Sequence, residues 1–337
     1  MALIFCTGFD NYSTITDFWD TPGLDTTINV GAGVPRTGRG CLQILSAAFG
    51  PLKNFLANKT HVLGCVSWRS SHPGSVMDFV NNAAGEVGVR VTVQGDGSIA
   101  FGWGNANNFI AQTAVGLVTF NSYVSIAVEV ENFTTATGII TCWVNGVQVF
   151  HQTGLKTTNT FATGSPSFCN AFRLMGPGGI PTLCVLDDCY VLDCGTAPNI
   201  TFLGALKLYA LAPTGDVAVA WTPLGGGSNF SEVDEVPPDG DTSYVSSAAV
   251  GAVDQYAYPL TGVPAGSSIP FLQHELDMKV DAGSRSVGSD VEGVAAAGFA
   301  LTNGYHIYPT PYDLNPGTGV TFVGGDFPVA AGPKVTA

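Results

Sequence analysis

The sequence predicts an all-β protein built as two β-sandwich domains, and three local observations carry that expectation. Within residues 141–150 (TCWVNGVQVF) two alternating runs meet at Asn145-Gly146. Asn-Gly is the pair that tolerates the positive φ angles of a type I′ hairpin turn. Upstream, residues 89–93 and 98–103 flank Gly95-Asp96-Gly97 as a second hairpin. Between the two, residues 122–131 (SYVSIAVEVE) alternate as a half-buried strand does. Composition agrees: charged residues are 11% of the chain and glycines number 43 of 337, against about 25% charged and about 7% Gly in an average soluble domain. Long surface helices need the Lys, Glu and Arg that are scarce here.

The remaining elements follow in order. Residues 4–9, 40–45, 60–68 and 76–81 are further strand candidates, and with the hairpins their spacing is that of a two-sheet jelly roll. The strand-like run 181–192 (PTLCVLDDCYVL) closes the first region, and the turn-rich residues 193–199 read as a linker. The domains are therefore expected at 1–195 and 196–337. Strands are expected in the second at 205–211, 218–221, 255–260, 271–280, 298–301 and 305–308. Residues 223–240, with Gly225-Gly226-Gly227 and Pro237-Pro238-Asp239-Gly240, are expected as a long irregular loop.

Charge excludes one class of partner. The formal net charge is −14, with 12 Lys plus Arg, and phosphate neutralisation needs a clustered basic surface. Acidity is read as keeping the chain soluble; the pairs Asp187-Asp188 and Asp234-Glu235 lack calcium-loop spacing. No apolar run of membrane-spanning length occurs. The opening MALIFCTGFD lacks the basic region and cleavage site of a signal peptide and is read as a first strand.

All eight cysteines, Cys6, Cys41, Cys65, Cys142, Cys169, Cys184, Cys189 and Cys194, lie in the first 194 residues without a CxxC pair, so zinc readings fail on spacing. Two readings stay open: buried thiols filling core gaps, or disulfides formed after export from a reducing cell. The triplet at 184, 189 and 194 is then the place for a bridge.

Catalytic patterns are wanting. Retaining glycosidases need two carboxylates about 5 Å apart. The strand candidates Glu129 and Glu131 share a face, with no Asp between and no third acid, and are read as a solvated strand edge. His61, His72, His151, His274 and His306 are scattered, with neither HExxH nor a recognisable pairing to Cys or Asp, and no GxSxG elbow occurs. No catalytic residue, cofactor or metal is expected. The one candidate binding set is carbohydrate-directed: Trp103 as an aromatic platform with the amides of Asn105, Asn107 and Asn108. The competing reading has Trp103 capping the core while the asparagines build a turn.

Several motifs carry a resemblance. Gly8-Phe9-Asp10-Asn11-Tyr12, GDGSIAFGWGN, SYVSIAVEVE and WVNGV resemble the concanavalin A-like, laminin-G-like jelly rolls of phage structural proteins. VLDDCYV at 185–191, Phe202-Leu203-Gly204, Trp221-Thr222-Pro223, DEVPPDGDTSYV at 234–245, Asp281-Ala282-Gly283 and the terminal KVTA are similar to a two-domain group of tailed-bacteriophage tail and virion structural proteins. The chain departs from that group in its eight cysteines and in a Gly/Pro-rich stretch at 309–333. The resemblance implies a non-enzymatic virion component on the tail, baseplate or capsid. It implies partners among other virion proteins and copies of itself, in a trimer or ring. A carbohydrate-binding receptor-recognition tail protein contacting a host surface glycan, and a capsid decoration protein, are the alternatives. No nucleic acid or membrane partner is expected.

Overall fold

The computed structural model describes residues 2–9, 18–21, 26–30, 40–44, 49–81, 86–103, 108–134, 136–158, 167–176, 184–195, 202–236 and 238–337. Among these the protein is all-β, with two short 3-10 turns and no α-helix. The chain divides into two compact units between Leu208 and Tyr209.

The first unit is a jelly-roll sandwich of antiparallel sheets. An eight-stranded sheet runs in the order β12 (Val147–Leu155), β11 (Gly138–Val144), β10 (Val124–Glu131), β5 (His61–Ser70), β14 (Cys184–Asp193), β3 (Gly40–Ile44) and β2 (Thr26–Val30), and β1 (Ala2–Thr7) also pairs with β14. A six-stranded sheet runs β4 (Phe49–Lys59), β13 (Cys169–Met175), β6 (Gly74–Asn81), β7 (Glu86–Val93), β8 (Ile99–Trp103) and β9 (Asn108–Gln112). The hairpin joining β11 to β12 turns at Asn145 (φ 49°) and Gly146 (φ 87°), both left-handed as a type I′ turn demands. The β7–β8 turn is closed by Asp96, whose carboxylate accepts from the Ser98 backbone N–H (3.0 Å) and hydroxyl (2.6 Å).

The core between the sheets is aromatic. Phe5, Phe18, Trp19, Phe79 and Phe172 are fully buried. Phe172 meets Phe5 and Phe79 edge-on at 6.1 and 5.7 Å, the arrangement the ring quadrupole favours. Gly64 on β5 faces this cluster, and a Cβ there would run into the Phe172 ring. Residues of β5 with the parity of Gly64 therefore point inward, and His61, Leu63 and Cys65 point to the opposite face of the eight-stranded sheet.

That opposite face is covered by residues beyond the expected linker. Phe202 stacks on Trp143 at 4.8 Å and 19°. The Tyr190 hydroxyl donates to the Gly204 carbonyl (2.8 Å), and the Leu208 N–H donates to Asp188 Oδ1 (2.8 Å). These contacts carry the first unit to Leu208, past the 195/196 boundary expected from sequence, and the strand expected at 205–211 is not formed. Asp187 and Asp188 form a bulge in β14, with Asp188 at φ 46°.

All eight cysteines are buried thiols, in keeping with the core-filling reading. A bridge within the 184–189–194 triplet fails on distance. Five residues of extended strand separate neighbours by roughly 16 Å, well beyond the roughly 7 Å limit between bridged Cα atoms.

The second unit contains a six-stranded sheet, β15 (Asp216–Ala218), β18 (Gln255–Tyr258), β24 (Val329–Val335), β20 (Ser286–Val291) and β21 (Val294–Ala295), with β22 (Phe299–Ala300) also on β20. A ribbon of β19 (Leu272–Met278) and β23 (His306–Tyr312) faces it, and a small pair, β16 (Thr222–Pro223) with β17 (Val245–Ser246), lies beside it. Trp221, Leu276, Val287, Tyr308 and Val335 form one core cluster, and Val291, Phe322, Val329 and Ala331 a second. Residues 224–236 and 238–240 are irregular apart from a 3-10 turn at Asn229–Glu232. The Gly/Pro-rich stretch ends in a central strand, β24. Gly332 is required there, because a Cβ would collide with the Asp254 carbonyl oxygen.

His274 of β19 is buried against β20. Its Nδ1 lies 2.6 Å from the Ser289 hydroxyl, which also accepts from Tyr312 (3.0 Å), while its Nε2 has no hydrogen-bond partner. Burial lowers its pKa from 6.5 to about 4. Unfolded chains thus bind one more proton than folded ones between those values, so stability falls as pH drops from about 6.5 to about 4. The full loss is on the order of 3 kcal/mol. Urea midpoints across that interval should decline in the native protein and flatten in His274→Gln; equal slopes in both would refute the assignment.

Candidate functional site

The expected carbohydrate set is only partly within the described residues. Asn105 and Asn107 lie outside them. Trp103 ends β8 with the parity of Phe101, whose ring packs 5.0 Å from Phe150 of the facing sheet. The Lys156 ammonium sits over the indole at 3.7 Å, a cation–π contact that occupies one ring face. Asn108 donates from Nδ2 to the Trp103 carbonyl (3.3 Å), as in a turn.

Two side-chain clusters are built by strand register. On the six-stranded sheet Asp78 lies opposite Arg90 of β7 and Arg173 of β13. Arg90 donates through Nε and Nη2 to both Asp78 oxygens at 2.8 Å, and Arg173 Nη1 stands 3.8 Å away. Phe79 faces the core, so this row faces away from it. Burial pushes the Asp78 pKa up, and the hydrogen bonds and charge of Arg90, then the charge of Arg173, oppose it.

The second cluster lies on the covered face of the eight-stranded sheet. His61 opens β5; Glu129 of β10 pairs with Leu63 and so shares its face; Cys194 follows β14, tied by its N–H to the His61 carbonyl at 3.0 Å. His61 Nε2 and Glu129 Oε1 are 2.7 Å apart. One ligand atom from each of His61, Glu129 and Cys194 lies within 4.8 Å of the others. Glu129 is 7% exposed on a strand flanked by β5 and β11. This corrects the solvated-edge reading: a charge on an interior strand is held by a partner that arrives from 68 residues away. Next to it, Lys59 Nζ binds Asp193 Oδ2 at 2.6 Å.

The trio contains the residue types of a nucleophile, a base and its orienting acid, but the thiol is unsuited to attack. Burial, then the charges of Glu129 and Asp193, push the Cys194 pKa up to about 12, whereas reactive cysteines are lowered toward neutrality. The isolated positions of His61 and Cys194 gave no motif; only the β5–β14 register joins them.

No protein-family model matches the chain, and no curated protein matches it. Solved structures similar to it include the endo-β-1,4-glucuronan lyase of the fungus Trichoderma reesei, at 13% identity over 54% of this chain and 92% of that one, TM-score 0.38. The carbohydrate-binding module CBM66 of Bacillus subtilis matches at 12% identity over 51% and 96%, TM-score 0.33. The catalytic domain of a glycoside hydrolase family 131 protein from Coprinopsis cinerea matches at 12% identity over 59% and 98%, TM-score 0.36. The likeness is one of fold.

Proposed function

We propose that this chain is a non-enzymatic structural component of a tailed-phage virion, held in place by subunit–subunit contacts through its second unit. The observation that carries the reading is where apolar side chains remain in solvent. Nine of the thirteen exposed large apolar residues among those described belong to the second unit, among them Val217, Val219, Leu224, Leu314, Val320 and Val323, each 47–57% exposed. Such side chains are available for burial against a neighbouring subunit. The motif resemblance supplies the virion context.

Native mass spectrometry of the full chain across the micromolar range tests this. The expected result is a closed homo-oligomer, a trimer or ring, that a Val217→Asp/Leu314→Asp variant reduces to folded monomer. A monomer at every concentration overturns the proposal. So does saccharide binding by a monomer, which selects the receptor-recognition alternative, or turnover of a polysaccharide, which selects an enzyme.

A further inference from the structure

We infer that His61, Glu129 and Cys194 form a divalent transition-metal site of zinc type, which clamps β5, β10 and the end of β14 together in the first unit. Imidazole, carboxylate and thiolate are the three ligand types that zinc takes in proteins, and a thiolate turns the set away from calcium and magnesium.

The geometry is close to what the ion needs. Around a tetrahedral zinc with bonds of about 2.0–2.3 Å, ligand atoms stand roughly 3–4 Å apart. The three donor atoms already lie within 4.8 Å of one another. Seating an ion would open the 2.7 Å His61–Glu129 contact and draw the more distant atoms in by about an ångström. Side-chain rotation supplies such movements, and His61 is the more exposed of the two, with its side chain 19% exposed against 9% for Glu129. That exposed side leaves room for water, or the second Glu129 oxygen, in the fourth position.

Charge also balances. A dication with one thiolate, one carboxylate and a neutral imidazole is neutral overall, and the adjoining Asp193 carboxylate is already matched by Lys59. Metal entry displaces the Cys194 proton, so binding releases a proton and tightens as pH rises. The backbone bond from Cys194 N–H to the His61 carbonyl fixes the spacing of those two ligands.

The test is metal binding by the untagged full chain, stripped with a chelator and titrated with Zn2+ and with Co2+ as a spectroscopic probe. The expected result is one ion per chain, with a thiolate-to-cobalt charge-transfer band. Cys194→Ser should abolish the band, whereas Cys169→Ser, on the other sheet, should leave it. Loss of a direct ligand should weaken zinc binding by more than the roughly 10–100-fold typical of an outer-shell partner. Absence of stoichiometric binding, or a band that survives Cys194→Ser, overturns the inference. Should Cys194→Ser fail to fold, His61→Gln decides on the same titration: unchanged affinity overturns the site, and weakened affinity with native circular dichroism supports it.

Discussion

Arg90→Met is expected to destabilise the first unit by about 3–5 kcal/mol, the cost of leaving a buried charge without its partner. Asp78 is fully buried, and both its oxygens are engaged by Arg90 at 2.8 Å. Methionine fills most of the volume of arginine, so the loss is electrostatic and not a cavity. Arg173, 3.8 Å from Asp78, softens the loss without replacing two hydrogen bonds. The companion variant Asp78→Leu/Arg90→Met removes both members. It should recover much of the deficit, because an apolar pair of similar volume can replace a buried ion pair at little cost. Urea unfolding at pH 7 of the native chain, both single variants and the double variant closes the cycle. A loss below about 1 kcal/mol in Arg90→Met would mean that the pair is solvated in solution.

The second large effect is expected at Asp254. Its Oδ1 accepts from the backbone N–H groups of Ala220 (2.6 Å) and Trp221 (2.7 Å), and its Oδ2 from the Tyr256 hydroxyl (3.0 Å) and the Asn229 amide (2.5 Å). This one carboxylate ties the segment before β16, the 3-10 turn at Asn229–Glu232 and β18 to a single point. Asp254→Ala strips the partner from the buried Trp221 N–H and Tyr256 hydroxyl and from the part-buried Ala220 N–H, and at about 1–3 kcal/mol for each fully buried donor a total of about 3–5 kcal/mol is expected. Asp254→Asn keeps one acceptor oxygen and should lose less. Hydrogen exchange locates the damage: the Ala220 and Trp221 amides should lose protection first, ahead of those in β20. Uniform loss across the second unit would argue against a local tie.

The first unit was largely legible because its strands advertise themselves. Asn145-Gly146 can hardly serve any purpose but a tight hairpin turn, and β10 alternates almost without fault. Four of its strands, β2, β4, β9 and β13, escaped. β4 begins with Gly50-Pro51, which reads as a turn, yet proline is tolerated because β4 is an edge strand. β13 (CNAFRLM) carries its polar residues, Asn170 and Arg173, three apart, a spacing that breaks the alternation by which a strand is read. In the second unit β24 was hidden by Gly332-Pro333, which a close backbone approach explains and composition cannot. Conversely, residues 205–211 have strand-like residues but form no strand, and Leu208 is bonded instead to the Asp188 bulge of β14.

The clusters differ in how far sequence could reach them. Asp78 and Arg90 each interrupt an apolar run, VMDFVN and VGVRVTV, on consecutive strands. Opposite charges stranded in neighbouring apolar strands are a readable sign of a cross-strand pair. His61, Glu129 and Cys194 offer no such sign. Their proximity depends on β5 lying between β10 and β14, a strand order that follows from the whole topology.

The pairing of β1 with β14, Ala2 opposite Asp193, sets the first and last strands of the sandwich side by side, ahead of the segment that runs on to Leu208. A unit with adjacent ends can be gained, lost or transplanted into another protein's surface loop without rethreading its strands.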